Sequence, residues 1–278
     1  MRTRKFQLFR LSLTERVQIE LFIDNPNEDR EKFIRNFFNK KLTIKKRKKN
    51  FEYVPISKIN DEYLIARIGR TSLVRESLPP DELLEEVLRP SWQAAYIIID
   101  PRSHNDGQKI AIEETIDVGR PAQIVRSLVD KINLNPNRKY QVDFEPIQNA
   151  SDFWRFANEN KGEITSLKFE FIAPNMWDSE NELENELREM RNAEHAHRVN
   201  LELKNQDGIN TDTKMVESGV ARVEHGGGNV KARAKNRKRF DSSKRIAQTF
   251  LEESSEEGTG LYYQINSSAA RILGNDES

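Results

Sequence analysis

"AAYIIIDPRSHNDGQKIAIEETI", Ala94 to Ile116, decides the fold class. Its first seven residues form the most apolar run of the chain and read as a buried central strand. "PRSHNDG" is rich in turn formers, and "QKIAIEETI" alternates apolar and polar side chains. Two such runs joined by a short turn pair antiparallel. The neighbourhood is then a sheet built from hairpins, with helices laid against it.

Working outward, "KFQLFRLSL" (5–13) and "RVQIELFI" (16–23) alternate with the period of half-buried strands. "NPNEDREKFIRNFFNKK" changes to helical spacing, with Phe33, Ile34, Phe37 and Phe38 on one face. "FEYVPI" and "EYLIARI" read as short strands joined at "SKIND". "PPDELLEEVLR" (79–89) reads as a helix opened by its prolines, and "GRPAQIVRSLVDKINLNP" as another, with Pro121 in its first turn. Further on, "KYQVDFEPI", "ITSLKFEFI" and "RVNLELKN" are strand-like. "SDFWRFANENKG" is helical between a Ser151 cap and a Gly162 stop. "SENELENELREMRN" carries a capping box of Ser179 and Glu182 and turns Leu183, Leu187 and Met190 inward.

The expected architecture is α+β with two domains, each a mostly antiparallel sheet with a few packed helices. The divisions fall at 1–137, a β-rich 138–251 with a basic hairpin, and a polar, loosely ordered tail at 252–278, in which "LYYQI" and "AARIL" are candidates for docking. Trp92, Trp154 and Trp177 lie beside apolar residues and are expected in packing rather than base stacking. The chain has no cysteine, which excludes disulfides, thiolate metal sites and a cysteine nucleophile. No long apolar run and no apolar stretch after the basic start is present, so the expectation is a cytoplasmic protein not embedded in a membrane. No cofactor is expected: "GGG" lacks the G-K-[ST] of a phosphate loop. No metal site is expected either.

The 45 basic and 45 acidic residues cancel, but they are unevenly distributed. "KKLTIKKRKK" (40–49) has seven bases and no acid, and "NVKARAKNRKRFDSSKR" (229–245) has eight bases around Asp241. If "MVESGVARVEH" and "NVKARAKN" are the strands of a hairpin, Gly226 to Gly228 form its turn. Lys231, Arg233 and Lys235 then project together at ~6.7 Å intervals, continued by Arg237, Lys238 and Arg239. A row of cations on a rigid strand suits phosphates repeating along a nucleic-acid backbone, contacted without base readout. Lys45, Lys46, Arg47, Lys48 and Lys49 form a second candidate contact. Solvated charge protecting an edge strand is the competing explanation.

Two further readings follow from the residues. In "LELK", Glu202 and Lys204 share a strand face and, with Asp178 or Asp143, suit a Mg²⁺-dependent nuclease. In a protein-interaction module, the basic face would instead meet the acidic Asp178–Glu194 segment of another copy or another protein. Of the histidines, His104, His195, His197 and His225, only the H-x-H pair has ligand spacing, and it lacks a third ligand. Asp100 closes a buried strand, as many catalytic acids do, but with Pro101 beside it also makes an ordinary turn.

"YQVDFEPI" followed by "ITSLKFEFI", then "RVNLELKNQDGINTD" and "VEHGGGNVKARA", resembles the layout of RexA-type phage-exclusion proteins. The N-terminal basic run is not part of that likeness. The resemblance implies a two-domain α+β protein that binds double-stranded DNA without sequence preference as a homodimer. It also implies a role in defence against phage, with a separate membrane protein as effector.

Overall fold

The computed structural model describes residues 3–16, 24–46, 49–102, 108–172, 182–194, 196, 198–253 and 260–275. The fold is α+β, with two antiparallel sheets. Strand β1 (Thr3–Glu15) organises the larger sheet, because it pairs along both edges. On one edge it meets β6 (Gln108–Glu113). The other edge is shared end to end by β7 (Tyr140–Pro146) and β12 (Gln248–Glu252). Beyond β6 the order continues through β5 (Glu86–Asp100), β4 (Leu64–Ser77) and β3 (Lys49–Pro55) to β2 (Leu42–Lys46). The apolar run Ala94–Asp100 is indeed central and buried, and its pairing with β6 runs Ile97 to Ile112.

One face of this sheet packs under α1 (Arg30–Phe38) and α2 (Pro121–Asn133). Their stripes, Phe33, Ile34, Phe37 and Phe38 in α1 and Ile124, Val125, Leu128, Val129 and Ile132 in α2, are all buried. The opposite face is covered by α6 (Leu261–Ser267) and α7 (Ala269–Leu273), through Ile265, Ala269, Ile272 and Leu273. For residues 260–275 this corrects the expectation of a loose tail. Asn275 hydrogen-bonds the fully buried Asp100 at 2.6 Å, and Lys109 reaches Gly274 O and Asn275. Asp100 is further held by Arg102, so it ties a strand end to the C-terminal helices.

The smaller sheet has the order β11 (Arg239–Asp241), β10 (Gly228–Ala234), β8 (Ile164–Ile172) and β9 (Arg198–Lys204). Its apolar face, with Leu167, Phe169, Phe171, Val230, Ala232 and Phe240, packs on α3 (Ala150–Glu159), α4 (Glu182–Glu194) and α5 (Lys214–Glu224). In α4, Leu187 is buried, whereas Met190 is exposed, contrary to expectation. The cap of α3 is Asn149, two residues earlier than Ser151, accepting from the Ser151 N–H at 3.0 Å. The sheets do not divide the chain at residue 138, because β7 and β12 both belong to the larger one.

Two larger departures concern helix and strand themselves. "TKMVESGVARVEH" is the helix α5, capped by Thr213, and not the first strand of a hairpin. Val216, Val220 and Val223 face the core at helical spacing, so tertiary burial overrides the β preference of valine. Gly226 to Gly228 therefore join a helix to a strand. A Cβ on Gly226 would lie 2.7 Å from Arg10 Cβ, and one on Gly228 (φ 148°) 2.1 Å from the Glu170 carbonyl oxygen. Glycine is required there for close approach as much as for backbone angle. "PPDELLEEVLR" is likewise not a helix. It has one 3₁₀ turn at Pro80–Glu82, then left-handed Leu83 and Leu84, then strand. This is the tip of a long β4–β5 hairpin paired from Leu64 with Ile99 out to Ser77 with Glu86. A helix here would have no core to bury its leucines, and in the hairpin they remain exposed too. "RVQIELFI" lies, after Arg16, outside the described residues.

Candidate nucleic-acid interface

The basic stretch 229–245 does supply a strand. In β10, Val230, Ala232 and Ala234 are buried, while Lys231 and Arg233 are exposed on the opposite face and Lys235 follows. The neighbouring strands set what surrounds them. Lys231 lies directly opposite Lys168 of β8 on one side and Asp241 of β11 on the other. Arg233 lies between Ser166 and Arg239. Adding β9 completes two rows across the sheet: Lys204, Ser166, Arg233, Arg239, and Glu202, Lys168, Lys231, Asp241. The first row has three cations and no acid. Rows are spaced ~6.7 Å apart and strands ~4.8 Å apart, so the cations form a grid rather than the single line expected.

The β10–β11 turn extends this grid. Arg237 takes a left-handed conformation, φ 64°, and Asn236 braces the turn by donating to Asn160 and accepting from the Lys238 N–H at 3.0 Å. Arg237 and Lys238 are exposed there. Lys235 is partly engaged, 3.9 Å from Glu163 and 3.3 Å from the Asp207 carbonyl oxygen. Lys168, Lys231, Arg233, Arg237, Lys238 and Arg239 make no ion pair among the described residues.

The second basic run lies elsewhere. Lys45 and Lys46 end β2 and Lys49 starts β3, at the far edge of the larger sheet, with Lys46 opposite Lys49. Arg47 and Lys48 lie outside the described residues. The two runs therefore belong to different sheets.

Among the described residues the nuclease arrangement is not assembled. Glu202 and Lys204 are exposed and pair with each other at 3.1 Å on the edge strand β9. Asp143 is 3.9 Å from Arg198, which lies four residues, or ~13 Å, along β9 from Glu202. Asp178 lies outside the described residues. Among the described residues no group of three or more potential metal ligands occurs. His225 caps α5, its ring nitrogen 2.8 Å from the Ala221 carbonyl oxygen; His104, His195 and His197 are not described. Trp154 packs against Phe153, but Trp92 is exposed, against expectation; Trp177 is not described.

At its other end the polar face of the small sheet meets the larger sheet across a cleft of about 770 Å³. Arg198 bridges the cleft, 3.0 Å from Glu145 of β7 and 3.1 Å from Glu170 of β8. Burial pushes the Glu145 carboxyl above its ordinary value, against the opposing pull of Arg198. This cluster has no sequence signature, because its members come from three strands.

The family model described as "Domain of unknown function (DUF4747)" matches residues 75–260, more than half of the chain. The chain belongs to this family. The DUF4747 region takes in the whole small sheet with its cationic grid, and the outer part of the β4–β5 hairpin. No curated protein and no solved structure matches the chain. Among the described residues no helix is long and apolar enough to cross a membrane.

Proposed function

We propose that this DUF4747 protein binds double-stranded DNA without sequence preference, through the polar face of its small sheet. One observation carries this reading: two like-charged pairs stand directly opposite each other on neighbouring strands, Lys168 with Lys231 and Arg233 with Arg239. Directly opposed like charges weaken a sheet; Glu202 and Asp241 flank the lysine pair in its row, but no acid stands in the row of Arg233 and Arg239, and neither arginine makes an ion pair among the described residues. A polyanion supplies the missing counter-charge. Lys204, Arg237 and Lys238 widen the contact, and Lys235 flanks it. Since the row lacks interleaved aromatics other than the buried Phe240, the contacts are to phosphate, not to bases. Lys45, Lys46, Arg47, Lys48 and Lys49 remain a candidate for a separate contact along the same duplex. The likeness in layout to RexA-type proteins supports a place in anti-phage exclusion, with a membrane protein as separate effector.

The experiment is fluorescence anisotropy with one random-sequence duplex over a salt series. Wild type is compared with a variant carrying Lys168, Lys231, Arg233 and Arg239 changed to Ser. The expected result is salt-dependent binding whose log–log slope falls by about 3.6, roughly 0.9 for each phosphate the variant no longer neutralises. Binding insensitive to salt, or an unchanged slope in the variant, overturns the reading.

A further inference from the structure

The hairpin of β4 and β5 outgrows its sheet. β3 pairs with β4 only as far as Gly69, and β6 pairs with β5 only from Ile97. Beyond these points the two strands run on together as a free ribbon to Ser77 and Glu86, closed by the Leu78 and Leu84 N–H groups donating to Glu85 O and Pro79 O. A two-stranded ribbon in water is marginal by itself, yet this one exposes large apolar residues.

Register assigns them to one face. Leu73 is opposite Pro90, Trp92 opposite Thr71, and Leu88 opposite Arg75. By strand alternation these three rows are on the same face, and Leu73 is 67% exposed, Trp92 61% and Leu88 60%. The other face carries Arg70, Ser72, Glu76, Arg89, Ser91 and Gln93 among its residues and is mostly polar, with Arg89 3.5 Å from Glu76. The ribbon is therefore amphipathic, and its apolar side stays open among the described residues.

We propose that this apolar face is the contact between two copies of the chain, related by a two-fold axis through the Leu73–Pro90 row. The face is self-complementary about that row. The rows on either side are Thr71–Trp92 and Arg75–Leu88, so the axis sets each Trp92 against the partner copy's Leu88 and Arg75. One row further out, the small pair Gly69–Ala94 meets Ser77–Glu86 and leaves room for the Arg75–Glu86 ion pair, 3.0 Å. At the ends, Arg67, lying over the Tyr96 ring, meets the tip with Leu84, Asp81 and Glu82. Charge thus matches where the apolar rows stop.

Seven rows give a strip ~40 Å long and two strands wide, roughly 400–600 Å² in projection before side-chain relief. A standard interface takes about 800 Å² per partner, so a strip of this size corresponds to a reversible dimer. The acidic tip, with Asp81, Glu82, Glu85 and Glu86, repels phosphate, which disfavours nucleic acid or an anionic bilayer as the occupant.

The test is sedimentation equilibrium of the full chain without nucleic acid. Wild type is expected to be a dimer. Leu73→Glu places two carboxylates across the axis and should weaken association at least about a hundredfold. Arg67→Glu and Glu82→Arg should each weaken it about tenfold, and the two together should restore it. All three positions are exposed, so far-UV circular dichroism should be unchanged. A monomeric wild type, a dimer indifferent to Leu73→Glu, or a charge swap that fails to rescue overturns the proposal.

Discussion

Replacing Arg239 by Thr should make the unbound protein more stable while weakening its hold on DNA. Arg239 is exposed and directly opposite Arg233, so the change removes a repulsion and no ion pair among the described residues. Two unit charges ~6 Å apart in water repel by about 0.7 kcal/mol, within the roughly 0.2–1 kcal/mol typical of directly opposed residues. For a protein of this size that corresponds to a rise in melting temperature of about 1–2 °C. Thr also prefers strands, so the repulsion is isolated by a cycle with Arg233→Thr. Each single substitution should stabilise, and the second should add little once the first is made. At ~1 M salt, where screening acts within about 3 Å, the coupling should disappear. Calorimetry at two salt concentrations reads this part, and anisotropy with a duplex reads a salt slope lower by about 0.9 per substitution. Absence of coupling at low salt would refute the repulsion. An unchanged slope would refute the phosphate contact.

Glu145 sits at 8% exposure with its carboxyl pushed up by burial. A raised folded value contributes stability that is complete below the ordinary carboxylate range, ~4.3, and is lost as pH rises through the folded value. Glu145→Gln should therefore raise the urea midpoint at pH ~7 and lose that advantage near pH ~4; a lower midpoint at neutral pH would show that Arg198 needs this partner more than burial penalises it. Ile272 is fully buried against the larger sheet. Ile272→Ala should cost about 2–5 kcal/mol in urea unfolding, and a near-neutral result would return the C-terminal segment to a loosely attached tail.

The helices α1, α2 and α3 and most strands are legible in the sequence because each buries one face, and a one-sided element writes its period into the chain. α5 is not, because "MVESGVARVEH" fits both an alternating strand and a helix with Val216, Val220 and Val223 inward. Only the core beneath it decides between them. The Leu-rich tip of the β4–β5 hairpin misleads for the opposite reason. Its leucines are exposed, so no burial enforces a period, and the capping signals of "PPDE" have no helix to start. The docking of Ile265, Ile272 and Leu273 leaves little trace in the sequence, because a short, polar-looking segment has too few turns for a stripe to stand out.

By itself the sequence determined the α+β class, the central strand Ala94–Asp100 and the alternation that turns Lys231 and Arg233 outward, since these depend on neighbours in the chain. The tertiary structure alone decided that Lys168 stands beside Lys231 and Arg239 beside Arg233. It also decided that Trp92, Leu73 and Leu88 share one face of a free ribbon, and that Arg198 joins carboxylates from two sheets. The physical reason is that strand register brings together residues far apart in sequence, and charge or apolar complementarity between strands leaves no period in either strand alone.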